Sequence, residues 1–203
     1  MTDAAADIID LYRRHAGAWI AMRGTRLTEG VWLDRFAGMM RPEASVLDIG
    51  CGAGVPIARH LSGQGCRVTG VDASSEMIAR FRVNLPDQAA QLADMRSLEL
   101  GRTFDGLIAW DSFFHLTPDD QRGMFAVFRS HAKPGAPLLF TSGPAFGEAM
   151  GTLEGDPLYH SSLDPEEYRE LLGRHDFDVV NHVAEDPDCT GHTVWLAQRR
   201  PAT

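Results

Sequence analysis

Apolar and polar positions alternate between two rhythms along this chain of 203 residues. Over 4–40 the spacing is helical. Ile8, Leu11, Tyr12, His15 and Trp19 recur at three- and four-residue steps, and 31–40 repeats the pattern after Gly30. From Ser45 onward, short apolar runs of strand length alternate with helical stretches: 45–48, 67–71, 89–93, 104–110 and 137–141. Pro56 suits the first turn of the helix after the first run, which extends to about Ser62 and is ended by Gly63 and Gly65. Ser74 or Ser75 caps the next helix, which Pro86 stops. Thr117-Pro118-Asp119-Asp120 starts another that lasts to Lys133-Pro134-Gly135, and Asp164-Pro165-Glu166-Glu167 starts the last. The stretch 143–162, broken by glycines and prolines, reads as irregular. Two strands, 177–183 and 193–197, close the pattern with no helix between them.

Strands that alternate with helices predict a doubly wound α/β fold: a mainly parallel sheet with helices on both faces. The last two strands lack a crossover helix, so they are expected to pair as an antiparallel hairpin, which brings the sheet to seven strands. The length suits a single domain with one good core.

Composition narrows the partners. The formal charge is -9, from 19 basic and 28 acidic residues, and an acidic chain of this kind is not expected to bind nucleic acid. The cysteines, Cys51, Cys66 and Cys189, are odd in number and unrelated in spacing, so reduced thiols in a cytoplasmic protein are expected. Residues 1–10 carry three aspartates and no apolar run. No signal peptide, membrane span or membrane partner is expected.

The chemistry concentrates after the first strand, in Asp48-Ile49-Gly50-Cys51-Gly52-Ala53-Gly54. A pyrophosphate-binding fingerprint needs a third glycine three residues after the second. Val55 stands there, or Ile57 in the shifted frame, and no P-loop lysine follows. A strand-end carboxylate beside the loop suits a cation better than a phosphate. S-adenosylmethionine, with an ammonium, a sulfonium and no phosphate, fits that requirement. Asp72 closes the second strand, where a carboxylate can accept from both ribose hydroxyls, and Asp94 closes the third, placed to accept from an adenine amino group beside Met77 or Met95. All three carboxylates lie on the sheet edge where such folds bind ligands. The bland alternative is a tight turn followed by helix-capping aspartates.

These stretches, VLDIGCGAG (46–54), VTGVDASSEMI (68–78), LADMRSL (92–98), FDGLIAWDSFFHL (104–116) and KPGAPLLFTS (133–142), resemble the class I S-adenosylmethionine-dependent methyltransferases. The resemblance implies a Rossmann-like fold, S-adenosylmethionine as cofactor with S-adenosylhomocysteine as product, and methyl transfer to a small molecule. It implies that Asp48, Gly50, Cys51, Gly52 and Gly54 face the methionine part and that Asp72 serves the ribose. Ala73 and Met77 would lie beside the adenosine, Asp94 and Met95 would form the adenine site, and Trp110 and Asp111 would follow the fourth strand. The layout expected over 1–203 is a helical lid (1–42), a cofactor-binding core (45–142), and an acceptor-side segment with the terminal hairpin (143–203).

Methyl transfer needs alignment, and it needs a general base only when the acceptor is protonated. His115 is the candidate base; its other reading is a histidine packed under the following helix. Asp111 binds the cofactor's ammonium or caps its loop. Trp19, Phe114 and His160 are the candidate acceptor contacts, with Tyr12, Phe113 and Tyr159 as further aromatic lining. His192 stands near Asp188 and Cys189, but the spacing matches no standard metal motif and no metal is expected. Two other readings stay open: a non-catalytic module that binds the cofactor, and a nicotinamide-dependent oxidoreductase.

Overall fold

A computed structural model describes residues 2–201. Five parallel strands form its centre: β1 (Ser45–Ile49), β2 (Arg67–Asp72), β3 (Ala89–Leu92), β4 (Gly106–Ala109) and β5 (Pro137–Ser142). A hairpin, β6 (Gly147–Leu153) and β7 (Asp156–Ser162), stands apart as a second small sheet. Strands β8 (Phe177–Asp186) and β9 (His192–Arg199) complete the main one. The seven-stranded order is β3-β2-β1-β4-β5-β9-β8, with β9 antiparallel to both β5 and β8. The strand order reverses between β1 and β4, so the crevice of this fold opens at their carboxyl ends.

The helices are α1 (Thr2–Ala6), α2 (Ile8–Arg23), α3 (Gly30–Gly38), α4 (Ile57–Gly63), α5 (Ser75–Asn84), α6 (Pro118–His131) and α7 (Pro165–Arg174). Alternation along the strands gives two cores. Val46, Ile108 and Leu139 meet Phe36 of α3, Leu61 of α4 and Phe81 of α5, while Leu47, Leu107 and Phe140 meet Phe125 and Phe128 of α6 and Tyr168 of α7. Side-chain caps fix the helix starts: the Ser74 hydroxyl accepts from the Met77 N–H, and Thr117 and Asp164 cap α6 and α7.

One expectation fails. Residues 143–162 are not irregular; they hold the β6–β7 hairpin. Its two-residue turn, Glu154-Gly155, has φ of 53° and 89°, the left-handed pair that matches strand twist in tight hairpins. Glu-Gly lacks the usual Asn-Gly or Asp-Gly signal, and the glycines within β6 broke the alternation. The hairpin carries the N-terminal helices. Ile8 and Leu11 are buried against Leu153 and Leu158, and Asp156 accepts from His15 at 2.9 Å and Arg14 at 3.0 Å. Helix α2 bends at His15, where φ/ψ is −110°/17°. No helix among the described residues is long and apolar enough to cross a membrane.

Candidate active site

The Gly50–Gly54 loop is stitched to β2, because the N–H groups of Gly50 and Cys51 both donate to the Val71 carbonyl, at 2.7 and 3.0 Å. Gly50 (φ 76°) leaves no room for a β-carbon against Ser112. Gly52 (φ 51°) faces open space, so its bare backbone is free to meet a ligand. Asp72 receives the loop: one carboxylate oxygen accepts from the Gly52 N–H and the other from Ser74 N–H, each at 2.9 Å.

Two compartments meet over this loop. The first is lined by Asp72, Ala73, Met77, Asp94, Met95, Tyr12 and His115, among others. The second is lined by Asp48, Cys51, Gly54, Trp110 and Arg23, among others. Trp19, Gly50, Gly52 and Asp111 line both. Every residue expected to bind the cofactor therefore lies on one continuous cleft. Burial, and then the charge of Asp72, pushes the Asp48 carboxyl up to about 7. Burial likewise raises Asp72, although backbone N–H groups offset part of it. Neither carboxylate has a cationic partner among the described residues, so the donor set fits a ligand that brings positive charge.

Asp94 differs from expectation. Rather than standing as an open acceptor for an adenine amino group, it is chelated by Arg96, whose Nε lies 3.0 Å from both oxygens, and it also accepts from the Arg96 backbone N–H at 2.9 Å. Arg96 holds the Asp94 carboxyl below its usual range.

His115 is buried; it packs just before the start of α6 and it lines the cleft. Its Nδ1 lies 2.8 Å from the Tyr159 carbonyl, which can only accept, so Nδ1 carries the proton. Nε2 then accepts from the Tyr12 hydroxyl at 2.8 Å. Burial pushes His115 down to about 4, so the ring is neutral at pH 7. Burial raises Tyr12, helped by Asp111 and Asp72. Phe114 and His160 do not reach the cleft. They line a separate groove beneath the hairpin, with the His160 ring 5.3 Å from Phe114 and 4.8 Å from His115. Trp19 lies in the cleft and packs edge-on against Tyr12 at 5.4 Å.

Three features escape the sequence reading. Tyr12 is more than an aromatic lining residue, Arg23 reaches the second compartment, and His192 is the partner of Asp111, with Nε2 to carboxylate 2.9 Å. Tyr12–His115 and His192–Asp111 are 103 and 81 residues apart in the chain, with no local pattern to join them. No cluster of three metal-ligating side chains occurs among the described residues.

The chain has counterparts among known proteins. A methyltransferase-domain family model matches residues 46–135. That match supports a class I S-adenosylmethionine-dependent methyltransferase. Among curated relatives, the chain is 29% identical over 137 residues to the dTDP-3-amino-3,4,6-trideoxy-alpha-D-glucopyranose N,N-dimethyltransferase of Streptomyces venezuelae, a match covering 66% of this chain and 55% of that protein. It is 27% identical over 169 residues to the carboxy-S-adenosyl-L-methionine synthase of Aliivibrio salmonicida, covering 78% and 68%. The chain thus spans little more than half of the first of these relatives. Among solved structures, DhpI in complex with S-adenosylhomocysteine superposes with a TM-score of 0.76 at 22% identity over all of both chains. An S-adenosylmethionine-bound amino pentose methyltransferase from Micromonospora echinaspora gives 0.70 at 20% identity, covering 90% and 95%. These similarities bear out the seven-stranded Rossmann-like fold with its terminal antiparallel hairpin.

Proposed function

We propose that this protein binds S-adenosylmethionine in the two-compartment cleft and moves its methyl group to a nucleophilic atom of a small molecule seated against Tyr12, His115 and Trp19. The observation that carries the proposal is the Tyr12–His115 pair, set in the same cleft as the unpaired carboxylates Asp48 and Asp72. When bound, the cofactor supplies a methyl group activated on a sulfonium.

The chain's own residues do the rest. Asp72 and the Gly52 backbone hold the ribose side, Met77 and Met95 flank the base, and Asp48 takes the ammonium. Tyr12 spends its proton on His115, which leaves its oxygen lone pairs to orient an N–H of a neutral amine acceptor. A neutral histidine near 4 does not store a proton at pH 7, so the pair selects and aligns an acceptor that has already lost its proton. Helix α2, braced from behind by the hairpin, covers the cleft and excludes water. The acidic chain and its expected reduced thiols suit a cytoplasmic enzyme.

Amino sugars, the acceptors named for one relative and one structural neighbour, are the first class to test. Synthesis of a carboxylated cofactor would put a carboxylate at the transferred carbon. The four residues that line both compartments include an aspartate and neither arginine nor lysine, and the histidine beside them, His192, is turned to Asp111, which favours the plain methyl donor. The test is transfer of labelled methyl to a panel of amino-sugar nucleotides and free amines by wild type and Tyr12→Phe. Labelled product from wild type that falls sharply in the variant supports the reading. Tight cofactor binding with no transfer to any small molecule supports the non-catalytic module instead.

A further inference from the structure

Asp111 stands where the two compartments meet, and its geometry is unusual. Its backbone lies in the left-handed region at φ 48°, which few non-glycine residues adopt without support. Two bonds supply that support: the Asp111 N–H donates to the buried Thr141 hydroxyl at 3.0 Å, and the carboxylate accepts from His192 Nε2 at 2.9 Å. His192 arrives from the far end of the chain, on β9, and its other nitrogen faces acceptors too. Nδ1 lies 2.7 Å from the Cys189 carbonyl, which can only accept, and 3.0 Å from the Thr190 hydroxyl, which can accept or donate. A neutral imidazole has one N–H, and here two acceptors demand two, so the arrangement calls for the imidazolium.

We propose that His192 is a positioning residue that neutralises Asp111 at the compartment junction and so sets how strongly the site distinguishes the cationic cofactor from its neutral product. The inference rests on the cofactor reading above. In that reading the adenosine half suits the compartment with Asp72, Met77 and Met95, and the amino-acid half suits the one with Asp48. The sulfur joins the halves, and so belongs beside the residues that line both: Trp19, Gly50, Gly52 and Asp111. Before transfer that sulfur is positive; afterwards it is neutral. A bare carboxylate at this point would hold the cation tightly and spend that attraction on the ground state, where it does not help the reaction. An imidazolium on the carboxylate cancels most of it.

The charges around His192 permit this. Asp111 bonds it directly, and its hydrogen bond raises the His192 pKa. Glu29 also faces it, but the Glu29 carboxylate is already ion-paired with Arg23, and Cys189 is a thiol held neutral by burial. Of the acids in the turn before His192, Asp186 accepts from the Trp32 indole at 2.8 Å and from the Asp188 N–H at 3.0 Å, while Glu185 and Asp188 are exposed and make no bond to the imidazole. Asp111 is therefore the one carboxylate in direct contact with the imidazolium.

The experiment is calorimetry with S-adenosylmethionine and S-adenosylhomocysteine on wild type, His192→Gln and Asp111→Asn, at about pH 6 and about pH 8.5. Glutamine keeps an N–H for Asp111 and removes the charge, so it separates electrostatics from bracing. The expected result is a Kd ratio, product over cofactor, about 3- to 10-fold higher in His192→Gln than in wild type at the lower pH. In wild type the ratio should climb toward the variant's as pH rises and the imidazolium deprotonates. Asp111→Asn should abolish that climb. Comparison at one pH cancels any titration of the ligands themselves. An unchanged ratio in His192→Gln, or equal weakening of both ligands, overturns the proposal and leaves His192 a brace. The wild-type pH series reads the same effect should the variants fold poorly. Failure of wild type to bind either ligand overturns the cofactor reading itself.

Discussion

A carboxyl group lifted to about 7 inside a protein costs stability whenever it ionises, and Asp48 is such a group. In the unfolded chain it ionises near the ordinary value of 3.8. Between about pH 4 and pH 7 the folded protein thus holds a proton that the unfolded chain has lost, and the Asp48 contribution to stability falls as pH rises through that window. The melting temperature of wild type should therefore drop more between about pH 5 and pH 8 than that of Asp48→Asn; parallel slopes would contradict the assignment. The same carboxylate must be ionised to meet an ammonium, so S-adenosylmethionine affinity should rise with pH toward 7 and binding should release protons, read by calorimetry in buffers of different ionisation enthalpy. Tyr12→Phe tests the other end of the cleft. It removes one hydroxyl and leaves the ring, so kcat should fall by about 10- to 100-fold while the S-adenosylhomocysteine Kd stays within about twofold. An unchanged kcat would remove Tyr12 from the mechanism. At this scale the sequence is eloquent about carboxylates and glycines, because a strand end fixes where Asp48 and Asp72 point. It is silent about Tyr12–His115 and Asp94–Arg96, since a hydrogen bond across the fold, or a salt bridge that occupies an acceptor, leaves no local pattern.

The elements that matter most for access are α2 and the β6–β7 hairpin, which support each other through Leu11, Leu153 and Leu158. Leu11 is 2% exposed, and Leu11→Ala should cost about 2–3 kcal/mol. Because this apolar cluster is small and separate from the two cores of the sheet, the loss should be local. Hydrogen exchange should quicken in α2 and the hairpin while the central strands stay protected, and ligand affinity should fall. Uniform loss of protection over the whole chain would show instead that these elements and the sheet unfold as one. The parallel strands and their helices were legible because each apolar run ends in a turn signal. The hairpin was not. Its turn uses Glu154-Gly155, and the alternation in β6 is interrupted by glycines, whose value lies in backbone geometry rather than in hydrophobic pattern. His160 was expected in the acceptor site because its segment reads as irregular; as part of the hairpin it sits with Phe114, from the turn after β4, behind His115 in a groove of their own.

On the scale of the whole molecule, residues remote in sequence close one cleft: α2 brings Tyr12 and Trp19, the ends of β1 and β2 bring Asp48 and Asp72, the turn after β4 brings His115, and the last strand brings His192 to Asp111. The central claim is that this cleft is built for the adenosyl cofactor. Calorimetric titration of S-adenosylhomocysteine and NAD into wild type and Asp72→Asn tests it most directly, with a thermal melt of each to establish folding. Asparagine retains one oxygen for the Gly52 and Ser74 N–H groups, so the loop is disturbed less than by alanine. The account predicts that S-adenosylhomocysteine binds wild type in preference to NAD and that Asp72→Asn weakens it by about 5- to 150-fold, the loss expected for roughly 1–3 kcal/mol of hydrogen bonding. A folded wild type that ignores S-adenosylhomocysteine, or that prefers NAD, would contradict it.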